Sequence, residues 1–507
     1  MSSILTNTSA MVALQTLRGI NSNLAQTQNE ISTGKSVGNA RDNAAVWSIS
    51  RTMDSDLSSF KAIGDSLALG QSSVAVARQA AETTTDLLTE MKTLIVSAQE
   101  ENVDRGKLQT DIAALREQIS AVVNTAQFNG LNMVQGTDQV NVLSSLDRDS
   151  SGNVSAAHIR VDRQDLTTEA GTFNVSGTSL NANATASAAA VSDAGNTAVV
   201  EFNSGAYTDS GLMARLTVAG VQIDFEGGAG LDQDDAAAFF EGAINALQLD
   251  GITASASGAD LTITSTRAFE GVSLDISELA GAAANTHIAN LNGSATAGNP
   301  VTGSIDERAQ NVTFSTTAAV QDGDGYRVSV GSQSFTYVAG PNESFEDVAR
   351  GLKAAVDSAG LEGITTAVTQ DTNGAWQLKV DNDGSSQLFQ AVGNAGGTAS
   401  GGLFGLDGIN VTTEAGARAA LDNIETMIQR SIDAAAAFGS SQKRIDIQND
   451  FISKLSDSLT AGIGSLVDAD MEATSARLQA LQVQQQLATQ SLSIANQQPQ
   501  NVLALFR

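Results

Sequence analysis

The sequence predicts an α+β multidomain chain, with α-helical coiled-coil or bundle domains formed by both chain ends and a β-rich (α+β) region inserted between them. Three observations predict it. Ile445, Ile452, Leu459, Leu466, Ala473, Ala480, Leu487 and Ile494 recur at every seventh position, the pattern that holds one narrow helix face against a partner helix. Leu17, Leu24 and Ile31 repeat the same spacing near the start. After Gly130 the sequence turns to Gly, Ser, Thr and Asn with strand-type alternation, and helical spacing resumes only near Thr412.

In the first segment the other seam position is filled by Leu14, Asn21 and Gln28. The two polar residues weaken an isolated helix and favour a two-helix or multi-chain seam, where a buried Asn fixes register. Ser32-Thr33-Gly34-Lys35 breaks the pattern, and Asp42 or Asn43 is placed to cap the next helix. From Ala44 to Glu100 the residues Val46, Ile49, Met53, Leu57, Ile63, Leu67, Val74, Leu87, Met91 and Leu94 keep helical spacing. A third helix is expected from Lys107 to Ala126, ended by Phe128-Asn129-Gly130 with the glycine in its usual C-terminal place.

The middle, from 131 to 409, contains runs such as Thr172 to Val175 and Leu261 to Thr264 that read as strands. An internal repeat lies within it. Val200 and Phe202 match Val312 and Phe314; Gly211 and Arg215 match Gly323 and Arg327; Val218 and Phe225 match Val330 and Tyr337. A helix-like stretch follows in each copy, slightly out of step, and Gly251-Ile252-Thr253 then matches Gly363-Ile364-Thr365. Two similar α+β units are expected, at about 199 to 290 and 311 to 400.

Thr413-Glu414 opens the last helical stretch, with a break near Gly439 leading into the seam. Ile445 to Ile494 as one helix would be roughly 75 Å long. Gly462 and Gly464 thin the seam, so a partner approaches closely there or the rod bends. Neither chain end has an internal partner of its own length, so the two ends are expected to pair with each other.

The composition excludes several functions. A formal charge of −29 repels phosphate backbones, so nucleic acid is not an expected partner. No run of about 18 apolar residues is present, so no membrane span is expected, and Met1 to Ala10 lacks the features of a cleaved signal peptide. Without cysteine there are no disulfides, thiolate metal sites or thiol nucleophiles. Neither His158 nor His287 has a serine nucleophile or metal-ligand partner at a telling spacing. No catalysis and no cofactor are expected.

Asp147-Arg148-Asp149-Ser150-Ser151-Gly152 begins like a calcium loop, but position 12 is His158 rather than a bidentate Glu, so a polar turn is expected. Asp322 to Gly325 and Asp381 to Gly384 read as hairpin turns. Asp468, Asp470 and Glu472 are spaced to point to different helix faces, so a shared acid-base site is not expected.

At both ends the residues resemble bacterial flagellins. Ser32-Thr33-Gly34 followed by Ala40-Arg41-Asp42-Asn43-Ala44-Ala45 is similar to the family's N-terminal signature, and Ala126 to Gly130 to its T-x-F-N-G element before a β-hairpin. Asp468 to Glu472 and Gln485 to Arg507 are similar to its C-terminal signature. The resemblance covers roughly 1 to 140 and 410 to 507.

It implies a subunit of the bacterial flagellar filament that self-assembles for motility. Residues 1–43 with 465–507 would form an inner-core helical domain, and 44–140 with 410–464 a helical bundle domain with a β-hairpin. Residues 141–409 would form an outer region. Inter-subunit packing would fall on Leu14, Leu17, Leu24, Ile31, Ile452, Leu459, Leu466, Ala473, Ala480, Leu487, Ile494, Leu503 and Leu505, with Gly34, Gly462 and Gly464 at the domain joint. Implied partners are further copies of the chain or other flagellins, an export chaperone at the C-terminal helices, the filament cap and the hook-filament junction proteins. The implied route out of the cell is type III export without a cleaved signal.

Leu88, Glu90 and Leu94 fall on the stretch that resembles the family's Toll-like receptor contact, where the family's Arg is Glu90; in the plant-receptor stretch at 29 to 50 the usual Arg is Glu30. The reversed charge would repel an acidic receptor partner, so both stretches are read as inter-subunit packing. A hook-filament junction protein shares similar ends. A secreted surface-binding module on a helical stalk is the other alternative, and it would need an exposed aromatic cluster from Trp376, Tyr207, Tyr326 and Tyr337.

Overall fold

The computed structural model describes residues 7–148, 153–187, 190–191, 194–202, 207, 211–278 and 286–505. Asp149 to Gly152 of the calcium-like turn and the side chains of Leu503 and Leu505 lie outside the described residues. The helices α1 (Thr8–Thr33), α2 (Ala44–Ser97) and α3 (Arg105–Thr125) come first. The strands β1 (Gln127–Phe128), β2 (Leu131–Asn132), β3 (Gln139–Arg148) and β4 (Val154–Asp162) follow.

Asn43 caps α2, accepting from the Val46 N–H, while Asp42 accepts from the N–H groups of Gly38 and Asn39. Asp104 caps α3, and Lys107, donating to it and carrying the opposite charge, holds its carboxyl below the usual range. Phe128-Asn129-Gly130 departs from expectation. Asn129 and Gly130 both have positive φ and join β1 to β2 as a two-residue hairpin turn. Gly130 therefore serves the hairpin and not the end of α3.

The inserted region contains β5 (Ala184–Ala186), β6 (Ala190–Val191), β7 (Asn196–Glu201), β8 (Gly211–Val218), β9 (Val221–Gly227) and α4 (Gln233–Ala246). It continues with β10 (Ile252–Ser257), β11 (Asp260–Ser265), β12 (Val272–Glu278), β13 (His287–Leu291), β14 (Ser294–Ala295) and β15 (Thr302–Ile305). Then come β16 (Gln310–Phe314), β17 (Gly325–Val330), β18 (Gln333–Val338), α5 (Phe345–Ser358), β19 (Ile364–Gln370), β20 (Trp376–Asn382) and β21 (Gln387–Asn394). Two long helices, α6 (Glu414–Val467) and α7 (Met471–Leu505), close the chain.

The inserted region contains two sets of sheets with a repeated strand order. In the first copy the sheets run β10-β11-β7-β13-β14 and β15-β12-β8-β9, and in the second β19-β20-β16-β5 and β18-β17-β21-β6. Apart from the extra edge strand β14 in the first copy, the two sheets correspond strand for strand. Each copy has its own core, one centred on Phe202, Phe225 and Phe240 and the other on Phe314, Tyr326 and Tyr337. The helices are in step after all: α4 and α5 begin 112 residues apart and end 112 residues apart. Both open with a capping box, Asp232 with Asp235 and Ser344 with Asp347.

The copies differ in where their last strands come from. The first takes β13 and β15 from the chain that follows it, whereas the second takes β5 and β6 from chain that precedes the first copy. The first copy is thus inserted into the second. The chain leaves at Val191, whose carbonyl accepts from the Asn382 amide, and returns at Arg308, whose guanidinium forks onto the Asp381 carboxylate at 2.7 and 2.6 Å. Adjacent residues of β20 therefore hold both ends of the insertion. Deleting residues 196–305 should leave the second copy folded, with the Trp376 emission of the parent protein. A red-shifted, water-exposed Trp376 in the shortened chain would show that the second copy depends on the first.

Several local expectations fail here for one reason, that strand-like and turn-like sequence says nothing about which sheet receives it. Thr172 to Val175 forms no strand; Thr172 makes only an isolated pairing with Thr398. Asp381 to Gly384 carries the chain from one sheet to the other and is not a hairpin, and Asp322 to Gly325 is a turn leading into β17. Beside Thr172, residues 165–169 bond through backbone groups to residues 401–403. A Cβ on Gly401 would lie 2.2 Å from the Thr167 carbonyl oxygen, so this approach requires glycine.

By contacts the chain divides into two compact units: Met1–Ser72, Asn141–Val161 and Ser440–Arg507 form one, and Ser73–Val140 and Asp162–Gly439 the other. In the first unit α2 and α6 run antiparallel, with Gly64 beside Asn449, the Gln71 amide donating to Asp446 and Met53 against Gly462. The hairpin of β3 and β4 joins them, Ser144 accepting from Gln448, and Val142 sits where a Cβ on Gly70 would be. In the second unit the same helices remain antiparallel through Thr85 with Ser431 and Lys92 with Glu425. Gln109 of α3 bonds the backbone at Ile409 and Val411 there.

Candidate assembly surface

The terminal helices α1 and α7 pack on each other antiparallel. The Asn7 amide donates to the Ala495 carbonyl at one end, and Gln485 donates to Asn21 further along. On α1 the facing line is Ala10, Ala13, Leu17, Ile20, Leu24, Thr27 and Ile31. Leu17, Leu24 and Ile31 are therefore on it, as the spacing predicted, but Leu14, Asn21 and Gln28 are exposed and Ala13, Ile20 and Thr27 hold the second seam position.

On α7 the facing line is Thr474, Leu478, Leu481, Gln485, Ala488, Leu492 and Ala495. It alternates steps of four and three residues and lies one position beyond the expected stripe. Ala473, Ala480, Leu487 and Ile494 face solvent, with Leu487 56% and Ile494 68% exposed. Helix α7 thus has two apolar stripes, and spacing alone cannot say which one meets α1. The pairing that forms is thin: small residues alternate with large ones, and on α1 only Thr27 is fully buried. At about 0.8 kcal/mol per buried CH₂, contacts of this kind stabilise little by themselves.

The expected single rod from Ile445 to Ile494 is two helices. Ile445 and Ile452 are buried, Leu459 is half-buried and Leu466 is 41% exposed, while Ile463 and Val467 take over the buried line. A straight helix has 3.6 residues per turn, so a strict heptad stripe rotates off the contact face by about 20° per heptad. The chain then breaks at Asp468 to Asp470. No break occurs at Gly439, and α6 runs unbroken through Gly462 and Gly464. Asp470 caps α7, accepting from the N–H groups of Glu472 and Ala473.

This break faces the one at Gly34, which ends α1 with φ of 68°. The Ser36 and Val37 N–H groups donate to the Val467 carbonyl, and the Ala469 N–H donates to the Gly34 carbonyl. The two interruptions are tied to each other by backbone bonds, and the carboxylates near 468 to 472 shape this joint. The joint lies about a turn beyond Gly464 because the Asp470 side chain takes the backbone N–H groups of Glu472 and Ala473 there.

A second feature lies in the other unit, where Arg430 of α6 reaches the second repeat. Its Nη2 lies 3.2 Å from Glu343 and 3.8 Å from Asp347, at ion-pair rather than hydrogen-bond geometry, and its guanidinium sits over the Tyr337 ring. Burial opposes the Arg430 charge, but Tyr337, Glu343 and Asp347 hold its pKa above the ordinary guanidinium value. Burial likewise pushes the Tyr337 phenol up, and its O–H donates to Glu343 at 2.7 Å. Beside it Lys353 is buried between Asp357, Asn423 and Asp422. No sequence signal marked Arg430 or Lys353; a lone cation within an apolar helix stripe was the only trace.

The remaining candidates take ordinary places. Leu88 is buried in the helical core, Leu94 is half-buried and Glu90 is exposed. Tyr207, Tyr326 and Tyr337 are buried and Trp376 half-buried, so these four form no exposed aromatic cluster for a surface-binding module. Among the described residues no group of acidic or histidine side chains is placed to hold a metal, and no helix is long and apolar enough to cross a membrane.

Comparison with known proteins decides the family. Residues 4–139 match the bacterial flagellin N-terminal helical region and residues 421–506 the C-terminal helical region. Flagellin A of Rhizobium meliloti is 32% identical over 519 residues, covering 100% of both chains, and flagellin A of strain 1021 is 33% identical over 513 residues with the same coverage. The chain belongs to the bacterial flagellin family. This flagellin is a structural, non-enzymatic protein, the filament subunit of the extracellular bacterial flagellum, and it polymerises with itself. Among solved structures a flagellar hook associated protein-3 from Legionella pneumophila superposes with a TM-score of 0.31 at 10% identity, covering 82% of this chain and 98% of that one. That superposition is too loose to support any domain comparison.

Proposed function

We propose that this flagellin builds its filament wall from the second apolar stripe of α7. Ala473, Ala480, Val483, Leu487 and Ile494 lie exposed on the side that α1 does not cover, and Met11, Val12 and Leu14 of α1 are exposed as well. An exposed apolar stripe of this length, interrupted only at Gln490, is a binding surface. A contact between this stripe and a different surface of the next copy is heterologous and does not close, which is how a filament grows. The exposed stripe is the observation that carries the reading.

In the same reading 1–43 with 465–507 form the inner wall, 44–140 with 410–464 the layer outside it, and 141–409 the solvent-facing region. The joint lies at Gly34 and Asp468 to Asp470. Export through a type III channel without a cleaved signal, with a chaperone held at α6 and α7, fits long terminal helices that gain most of their burial only on assembly. The cap and the hook-filament junction proteins would then meet the same stripe at the filament ends.

Replacing Leu487 and Ile494 together by Asp tests it. The monomer should keep its helical circular dichroism, since both side chains already face water, while electron microscopy should find no filaments. Filaments of ordinary length and number from the double variant would remove the stripe from the assembly surface.

A further inference from the structure

The two repeats provide an internal comparison of the same helix in two settings. Their inward faces agree: Ala236, Ala237, Phe240 and Ile244 of α4 are buried on their sheets, and so are the matching Val348, Ala349, Leu352 and Val356 of α5. Their outward faces do not. On α5 Gly351, Lys353 and Ala354 are also buried, Gly351 under the Tyr337 ring of its own repeat and the other two where Asn423 of α6 and Gly405 lie. Asn423 bonds Lys353, Arg430 reaches Asp347, and Gly405 packs against Ala354.

Among the described residues no helix lies on the matching face of α4. Phe239, in the place of Gly351, is 43% exposed against Phe225, its ring 5.2 Å from the Phe225 ring. Ala238, Gly242 and Ala246 form an exposed line of small residues, and a Cβ on Gly242 would touch nothing within 4 Å. Among the described residues nothing requires glycine there, although a glycine inside a helix costs about 1 kcal/mol relative to alanine. An exposed phenylalanine beside an unneeded glycine is what a closely approached helix face looks like before its partner arrives. The acidic Asp234, Asp235 and Glu241 border it, Asp235 matching the Asp347 that faces Arg430 in the other repeat.

We infer that the outer face of α4 is a docking surface for a helix carrying lysine or arginine from a neighbouring copy of this chain. It would seat as α6 seats on α5, with its cation near Phe225, Phe239 and Asp235. A copy of the chain is the occupant because the matching face takes a helix of this same chain, and because the filament surrounds each subunit with copies. The inference thus rests on the filament reading.

The chain has no cysteine, so Ala238→Cys accepts a single photo-crosslinking label without other changes. Labelled filaments are grown from mixed ¹⁴N and ¹⁵N subunits and the linked peptides are read by mass spectrometry. Links between the two isotopic copies, onto a helical peptide containing lysine or arginine, are expected in filaments and absent from monomers. Gly242→Leu, which blocks close approach, should cut those links at least fivefold and lower the filament melting temperature, while the monomer melts at the same or a higher temperature. Filaments that form normally but carry only intramolecular links, links only to acidic strand segments, or a Gly242→Leu filament equal to the parent would overturn the α4 assignment alone. A parent protein that forms no filament would overturn it together with the filament reading.

Discussion

A chain lacking residues 465–507 should remain soluble with its middle folded and form no filaments at all. The deletion removes the last turn of α6 and all of α7, and with α7 both apolar stripes. Helix α1 then has no partner for Leu17, Ile20, Leu24 and Thr27. Ser36 and Val37 also lose the Val467 carbonyl. An isolated helix of 26 residues with small and polar seam positions is marginal in water. The loss of helical circular dichroism should therefore exceed that of the deleted residues by roughly the contribution of α1. The two β-rich cores include no residue of α7, so their unfolding transition should be unchanged. Ordinary filaments seen by electron microscopy would falsify the assignment of α1 and α7 to the wall.

Arg430→Ala should cost about 3–5 kcal/mol in the second unit, the scale for removing one partner of a buried ion pair. Arg430 and Glu343 are only 15% and 17% exposed, so the carboxylate left behind has little water and no counter-charge, and the Tyr337 ring loses the cation above it. Against a typical stability of about 5–15 kcal/mol this is a large fraction. Adding Glu343→Gln should recover part of the loss, because the amide still accepts the Tyr337 O–H but carries no charge. Urea unfolding followed by circular dichroism of the insert measures both. A single variant within about 1 kcal/mol of the parent, the scale of an exposed pair, would mean that Arg430 is solvated.

Most helix positions were legible because each long helix carries apolar residues at a helical spacing that no strand could bury. Capping residues sharpened two of the starts, since Asn43 and Thr413 both sit where a helix begins, whereas α3, capped by Asp104, begins two residues before the expected start. Legibility failed where one sequence supported two arrangements. Asn129-Gly130 is equally good at ending a helix and at turning a hairpin, and only the pairing of Gln127 with Asn132 chooses the hairpin. The glycines at 439, 462 and 464 read as breaks, yet each lies within α6, where the helix around it is already held by burial on either side. The break fell instead on Asp468 to Asp470, where side chains compete for the backbone bonds and the chain beside Gly34 accepts them.

The sequence by itself determined that both ends are helical and belong together and that the middle carries a repeated α+β pattern. Heptads, a fixed 112-residue offset and composition suffice for that, because each is a property of residue order alone. Only the tertiary structure decided which stripe of α7 meets α1, which strands close each repeat, and that Arg430 and Lys353 hold α5 to α6 while no helix among the described residues covers the matching face of α4. The physical reason is the same in each case. A periodic stripe or a strand specifies a face that must be covered, and only the geometry of the folded chain specifies what covers it.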